Sequence, residues 1–199
     1  MHYAVAMQRL RAIAARCQQA AGLWDDEPVV TALYAFGDVL DGPDDLDCVE
    51  IVLVVNLPPA EVPLGARPEP YLGLAKLLDV AKPWLMWYLR PAVWPVSDHR
   101  IRRPLRIWSV EGGLDTDALE ALARGDAEPM RLPAQDASAA RDQLAEELAC
   151  SLDQLRTVIE RYWDREWRSE HRGNGVYPEH HLWEAVSTYL DLLGASQTN

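Results

Sequence analysis

Cys48 to Leu57 (Cys-Val-Glu-Ile-Val-Leu-Val-Val-Asn-Leu) is the stretch that most restricts the fold of this chain. Aliphatic residues fill nearly every position from Val49 to Val55, without the polar–apolar alternation of a half-solvated strand. A strand that is apolar on both sides needs cover on both, which places it at the centre of a sheet flanked by helices. Glu50 interrupts the run. A carboxylate inside such a strand requires a partner, and the arginines between 100 and 106 are the expected source.

The flanking segments supply both the cover and further strands. Residues 3–22 carry Leu10, Ile13, Ala14, Cys17 and Ala21 at helical spacing, with Arg9, Arg11, Arg16 and Gln18 elsewhere, which predicts an amphipathic helix. Val29–Phe36 and Ile101–Val110 read as two more strands. Prolines 58, 59, 63, 68 and 70 make 58–70 an extended connector before a short helix over 71–80. Trp84, Trp87, Tyr88 and Trp94 among prolines 83, 91 and 95 read as a loop or edge strand whose rings cap the core. The alternative use of those rings is as a platform for stacking a flat ligand. Asp115 is a natural N-cap for a helix over 117–124 that Gly125 ends.

After a linker over 126–135, Leu144, Leu148, Leu152, Leu155, Ile159, Tyr162 and Trp163 define a helical stripe from 137 to 170. One continuous helix of that length spans roughly 50 Å at 1.5 Å per residue, too long for a small domain to cover alone. Gly173-Asn174-Gly175 breaks the pattern, and Pro178 suits the first turn of a final helix over 179–194. The expected architecture is therefore α/β (α+β): a small mixed sheet flanked by helices over 1–125, with a C-terminal long-helix hairpin over 136–195 packed on it.

Composition narrows the partners. The chain of 199 residues carries 19 Lys and Arg against 31 Asp and Glu, a formal charge of −12. That argues against an extended nucleic-acid surface, which needs clustered cations to neutralise phosphates, though not against a local basic groove. Cys17, Cys48 and Cys150 form no CxxC pair and read as reduced, packed thiols. No apolar run reaches membrane-spanning length, and the arginine-bearing N-terminal segment lacks a continuous apolar core of the signal-peptide kind, so a cytoplasmic protein is expected.

The chemistry-bearing stretch precedes the central strand: Phe36-Gly37-Asp38, then Gly42-Pro43-Asp44-Asp45-Leu46-Asp47. Residues i and i+2 of an extended segment share a face, so Asp45 and Asp47 would present carboxylates with Cα atoms roughly 7 Å apart. Such hard oxygen ligands suit Mg²⁺, whose remaining positions go to water and substrate phosphate. Asp98-His99-Arg100-Ile101-Arg102-Arg103 adds three arginines in four positions, suited either to an anion or to pairing with the acidic excess.

Gly37-Asp38 followed by Asp45-Leu46-Asp47 at the mouth of an apolar strand resembles the signature of the nucleotidyltransferase superfamily, particularly its minimal members. The resemblance implies a sheet of nucleotidyltransferase type, a Gly37-Asp38 turn facing nucleotide phosphates, Mg²⁺ held by Asp45 and Asp47, and Arg100, Arg103 and Arg106 near the anion. The chain as a whole resembles an uncharacterised actinobacterial family, which implies no activity.

Two departures from the superfamily pattern point to a degenerate site. Asp38 stands where the superfamily has Ser, placing negative charge where phosphate would approach. The third acid is expected on a later strand, and Ile101–Val110 has Arg106 at its centre. The expectation is that Arg103 or Arg106 pairs with Asp45 and Asp47, leaving a binding or regulatory protein with no cofactor. The alternative is an active Mg²⁺-dependent nucleotidyltransferase. A remoter one rests on Arg165 and His171, whose spacing is similar to that of HEPN-type ribonucleases. The expected partners are a nucleotide or other phosphate ligand, and a protein partner or second copy along the long helix.

Overall fold

A computed structural model describes residues 1–22, 29–42, 45–68, 71–173 and 177–198. Pro43 and Asp44 of the acidic turn, Pro70 of the connector and the Asn174-Gly175 break lie outside the described residues. The chain forms a five-stranded mixed sheet in the order β3-β2-β1-β4-β5. Its strands are β1 (Val30–Phe36), β2 (Val49–Val55), β3 (Leu85–Pro91), β4 (Leu105–Ser109) and β5 (Gly113–Leu114). β2 runs antiparallel to β1 and parallel to β3, and β4 runs antiparallel to both β1 and β5. The expected α/β class is what the chain adopts. β2 is indeed flanked on both sides, whereas the Trp-rich segment forms the edge strand β3.

One face of the sheet is dry. Leu33, Ala35, Ile51, Leu53, Trp87 and Leu89 join Leu10, Ile13, Ala14 and Cys17 of α1 (Tyr3–Ala21) in one apolar cluster with Ala118, Leu119 and Leu122 of α3 (Thr116–Arg124). Polar bonds sit at its rim, where the Trp108 indole donates to Gln18 Oε1 at 2.9 Å and the Tyr3 hydroxyl to the Leu122 carbonyl at 2.6 Å. The cap of α3 is as expected. Asp115 accepts from the Ala118 amide, and Gly125 ends the helix in the left-handed conformation at φ +77. Between β2 and β3 runs the short helix α2 (Leu72–Leu77). The free edge of β3 is closed by Arg67, whose amide donates to the Trp87 carbonyl and whose guanidinium donates to the Leu85 and Pro83 carbonyls. This removes an unpaired edge that would otherwise invite strand addition.

The expected helix over 137–170 is two helices, α4 (Ala137–Arg161) and α5 (Arg165–Glu170). Asp164 interrupts it because its side chain caps a new start, accepting from the Trp167 amide at 2.7 Å. The 25 residues of α4 therefore span about 38 Å. Helix α6 (Pro178–Thr198) returns alongside α4. At one end, Glu179 of α6 accepts from the Tyr162 hydroxyl and from Arg168. At the other, Glu146 of α4 accepts from the Trp94 indole at 3.0 Å and Asp191 of α6 meets His99, so the pair is antiparallel. Leu144 and Leu192 are part of the same apolar cluster as the sheet. Cover on the long helix thus comes mainly from the chain's own α6.

A buried ion cluster fastens this hairpin. Arg90 on β3 is 2% exposed and Glu147 on α4 is 1% exposed, with Nη2 to Oε1 at 2.6 Å. Arg90 also donates to the Pro95 carbonyl at 2.8 Å and lies 3.4 Å from Asp98 Oδ2. Gln143 donates to the same Glu147 oxygen at 3.0 Å. Breaking a buried pair by removing one partner strands the other charge in a poor solvent, at about 3–5 kcal/mol. Glu147→Leu alone is expected to lower the melting temperature by roughly 6–20 °C at a few degrees per kcal/mol. The Arg90→Met/Glu147→Leu double variant should recover most of that loss in thermal unfolding, because neither member of the close pair is left alone and Asp98 keeps its bonds from the Arg100 and Ile101 amides.

Candidate functional site

The second face of the sheet is only partly covered and carries the polar groups. Glu50 and Val52 share it by strand alternation, and register sets Phe36 and Met86 beside Glu50, and Tyr34 and Tyr88 beside Val52. Ile101 and Val96 from the loop after β3 pack on Phe36, Val52, Tyr34 and Tyr88, covering its middle. The Phe36 and Tyr88 rings meet tilted, with centroids 5.6 Å apart. What stays accessible is the end at the start of β2, where β1 turns at Gly37.

Gly37 opens a 3-10 turn (Gly37–Asp41) with φ +72, a conformation that favours glycine. Glu50 presses its carboxylate against that turn. A Cβ on Gly37 would lie 1.9 Å from Glu50 Oε2. Among the described residues Glu50 has no arginine partner, contrary to the sequence expectation. Burial, reinforced by the charge of Asp38, holds its carboxyl above the usual carboxylate range. Cys48 is pushed up as well, first by burial and then by Glu50, Asp38 and Asp47. This end of the sheet therefore gathers Asp38, Asp47 and Glu50 around the Cys48 thiol, with Arg67 acting against them.

Asp45 and Asp47 lie just before β2 rather than in it, and both are exposed. The segment between them is tied to the start of the chain. The Leu46 amide donates to the Met1 carbonyl at 2.9 Å, the Met1 nitrogen donates to the Leu46 carbonyl, and His2 Nδ1 lies 3.3 Å from Asp45 Oδ1. Leu46 itself is 2% exposed, so the apolar residue between the two acids anchors the segment.

Neither Arg103 nor Arg106 pairs with these acids. Arg103 forms its ion pair with Glu128, and Arg106 lies on β4 opposite Tyr34. The reason is topological: β4 sits on the far side of β1 from β2. The strand next to β2 is β3, whose residues on this face are Met86, Tyr88 and Arg90, with no acid among them. Arg100 pairs with Asp191 of α6 and lies over the Tyr88 ring at 5.8 Å. The three arginines thus diverge to α6, to the 128–130 turn and to β4, and form no single clamp.

The second constellation also separates. His171 stacks on Trp167 with centroids 4.2 Å apart, and its Nδ1 lies 2.8 Å from the Trp167 carbonyl. With His181 it lines a cleft of about 370 Å³ between α4, α6 and the 60–64 segment, while the exposed Arg165 is not among its lining residues. Burial, then the neighbouring His171 and His180, pushes the His181 imidazole down to about 4. Sequence reasoning overlooked the buried Arg90–Glu147 pair. The only signal was an ionisable residue on each of two elements, which many surface residues share.

Fold and site together define an α/β protein with a mixed sheet, one polar sheet face with an acidic end, and a C-terminal helical hairpin. The chain belongs to a family described as a domain of unknown function (DUF7711), whose model matches residues 1–198. No curated protein and no solved structure matches the chain. Among the described residues, no helix is long and apolar enough to cross a membrane.

Two substitutions test the acidic end. Gly37→Ala is expected to cost at least about 1–2 kcal/mol for the left-handed backbone. Adding Glu50→Ala should remove the collision but not the backbone cost, so urea unfolding of the double variant should show less loss than the two singles summed. Glu50→Gln tests the charge. A folded pKa raised above the unfolded value contributes stability that is complete below it and lost as pH rises through the folded pKa. Glu50→Gln should therefore be more stable than wild type at neutral pH. That advantage should shrink to nothing as pH falls to about the ordinary glutamate value of 4.5, read from urea midpoints across the range.

Proposed function

We propose that this is a nucleotidyltransferase-like protein whose site is degenerate and which acts by binding or regulation rather than nucleotidyl transfer. The observation that carries this reading is the Glu50 carboxylate seated against the Gly37 turn. In the superfamily resemblance that turn faces phosphate, and here an anion approaching it meets Glu50 and Asp38 together. Three further features support the same reading. Asp45 is engaged with His2, β3 brings Tyr88 and Met86 rather than an acid beside β2, and Arg100 and Arg103 are spent on Asp191 and Glu128. Mg²⁺ has no part in this function.

A binding role draws on the hairpin, where large side chains remain in solvent. Trp163 is 82% exposed and Trp183 is 72% exposed, with Ile159 and Leu190 also more than half exposed. These are the residues for a protein partner or a second copy of the chain.

Calorimetric titration of Mg²⁺ and MgATP into wild type and the Asp45→Asn/Asp47→Asn double variant decides between binding protein and enzyme. The expected result is no Mg²⁺-dependent saturable heat in either protein. Saturable binding of Mg²⁺ or MgATP by wild type that disappears in the double variant would overturn the degenerate reading and establish a working carboxylate site.

A further inference from the structure

Asp98, His99 and Glu147 each offer one ligand atom, and the three atoms lie within 4.8 Å of one another. They come from two elements that the fold forces together, the loop after β3 and the first half of α4. His99 is the informative member. Its Nε2 lies 2.9 Å from Asp191 Oδ2, and a carboxylate only accepts, so Nε2 carries the proton. In the neutral ring Nδ1 is then a bare lone pair. That nitrogen is buried and has no hydrogen-bond partner among the described residues. An imidazole held by a carboxylate on one nitrogen, with the other nitrogen bare, is the arrangement that protein metal ligands adopt.

We propose that Asp98, His99 and Glu147 bind a divalent transition-metal ion of the Zn²⁺ type, with Asp191 as the carboxylate that orients His99. One imidazole nitrogen and carboxylate oxygens are a donor set that Zn²⁺ accepts, and such a set favours it over Mg²⁺ or Ca²⁺, which prefer oxygen alone. Both carboxylates keep lone-pair capacity. Asp98 Oδ1 accepts the Arg100 and Ile101 amides at 2.7 Å each, while Oδ2 faces only the longer 3.4 Å approach of Arg90. Glu147 Oε1 takes both Arg90 and Gln143, two of the roughly four positions its carboxylate offers. Arg90 fixes these carboxylates in place and also offsets one of their charges. Asp98 and Glu147 against Arg90 leave one net negative charge for the ion. A cleft of about 280 Å³, lined by Asp98, His99, Arg102, Arg103 and Gln135 among others, gives the ion a way in. Arg103 at its edge is already neutralised by Glu128.

The test is calorimetric titration of Zn²⁺ into the chelator-stripped full chain at neutral pH, repeated with His99→Gln. A glutamine amide can still donate towards Asp191 while removing Nδ1, so the fold is preserved, as circular dichroism and the melting temperature would confirm. Co²⁺ provides an independent readout through the visible bands of a low-coordinate nitrogen–oxygen site. The expected result is one saturable Zn²⁺ site per chain, weakened at least tenfold in His99→Gln, with the Co²⁺ bands lost in parallel. Absence of saturable binding would overturn the proposal. Equal binding by wild type and His99→Gln would overturn it too, placing the ion elsewhere. Glu147→Gln, which also weakens the hold on Arg90, serves only as a supporting variant where it folds.

Discussion

A single buried guanidinium joins the two halves of this protein. Arg90 leaves the polar face of edge strand β3 and reaches Glu147 on α4, the Pro95 carbonyl and Asp98. Isolated, each of these charges would be intolerable at such burial. Together they satisfy one another, and the geometry that satisfies them admits one placement of α4 along the edge of the sheet. The 95–101 loop is fixed by the same contacts, since Asp98 folds back on the Arg100 and Ile101 amides. That loop in turn sets Ile101 over Phe36 and Val52 and brings His99 and Arg100 to Asp191 of α6. Both helices of the hairpin are therefore held by ions, Glu147 on α4 and Asp191 on α6, beside the buried Leu144 and Leu192.

The polar face of the sheet follows from that closure. Its middle is sealed by Ile101 and Val96, so charge is confined to the margins. The margin at Gly37 is acidic, and burial together with Asp38 raises Glu50 rather than any cation lowering it. The arginines expected to offset those acids lie elsewhere because β1 separates β4 from β2. Around Cys48 the charges of Glu50, Asp38 and Asp47 outweigh that of Arg67, so this margin repels an approaching phosphate.

Much of the architecture was legible in the residues themselves. The apolar run of β2, interrupted only at Glu50, demanded a central strand, α1 declared itself by spacing, and Asp115 and Gly125 marked both ends of α3. These are local signals: period, cap and left-handed glycine act within a few residues, so a linear reading captures them. Two local signals were misjudged. Asp164 breaks the long helix because its capping bond to the Trp167 amide outweighs a continuous apolar stripe, and β4 is shorter than the strand-like composition of 101–110 suggested.

What the linear order could not supply was adjacency. The sequence by itself determined that a sheet would form around Val49–Val55, that helices would cover it and that acids would cluster before it. Only the tertiary structure decided which strand lies beside β2, and so whether Arg106 could meet Asp47. It also decided that Glu50 would rest on Gly37, that Met1 and His2 would hold Asp45 and Leu46, and that Arg90 would find Glu147. The physical reason is the same in each case. Charges choose partners by distance in space and by the cost of leaving one unpaired in the dry interior, and neither is set until the chain has closed.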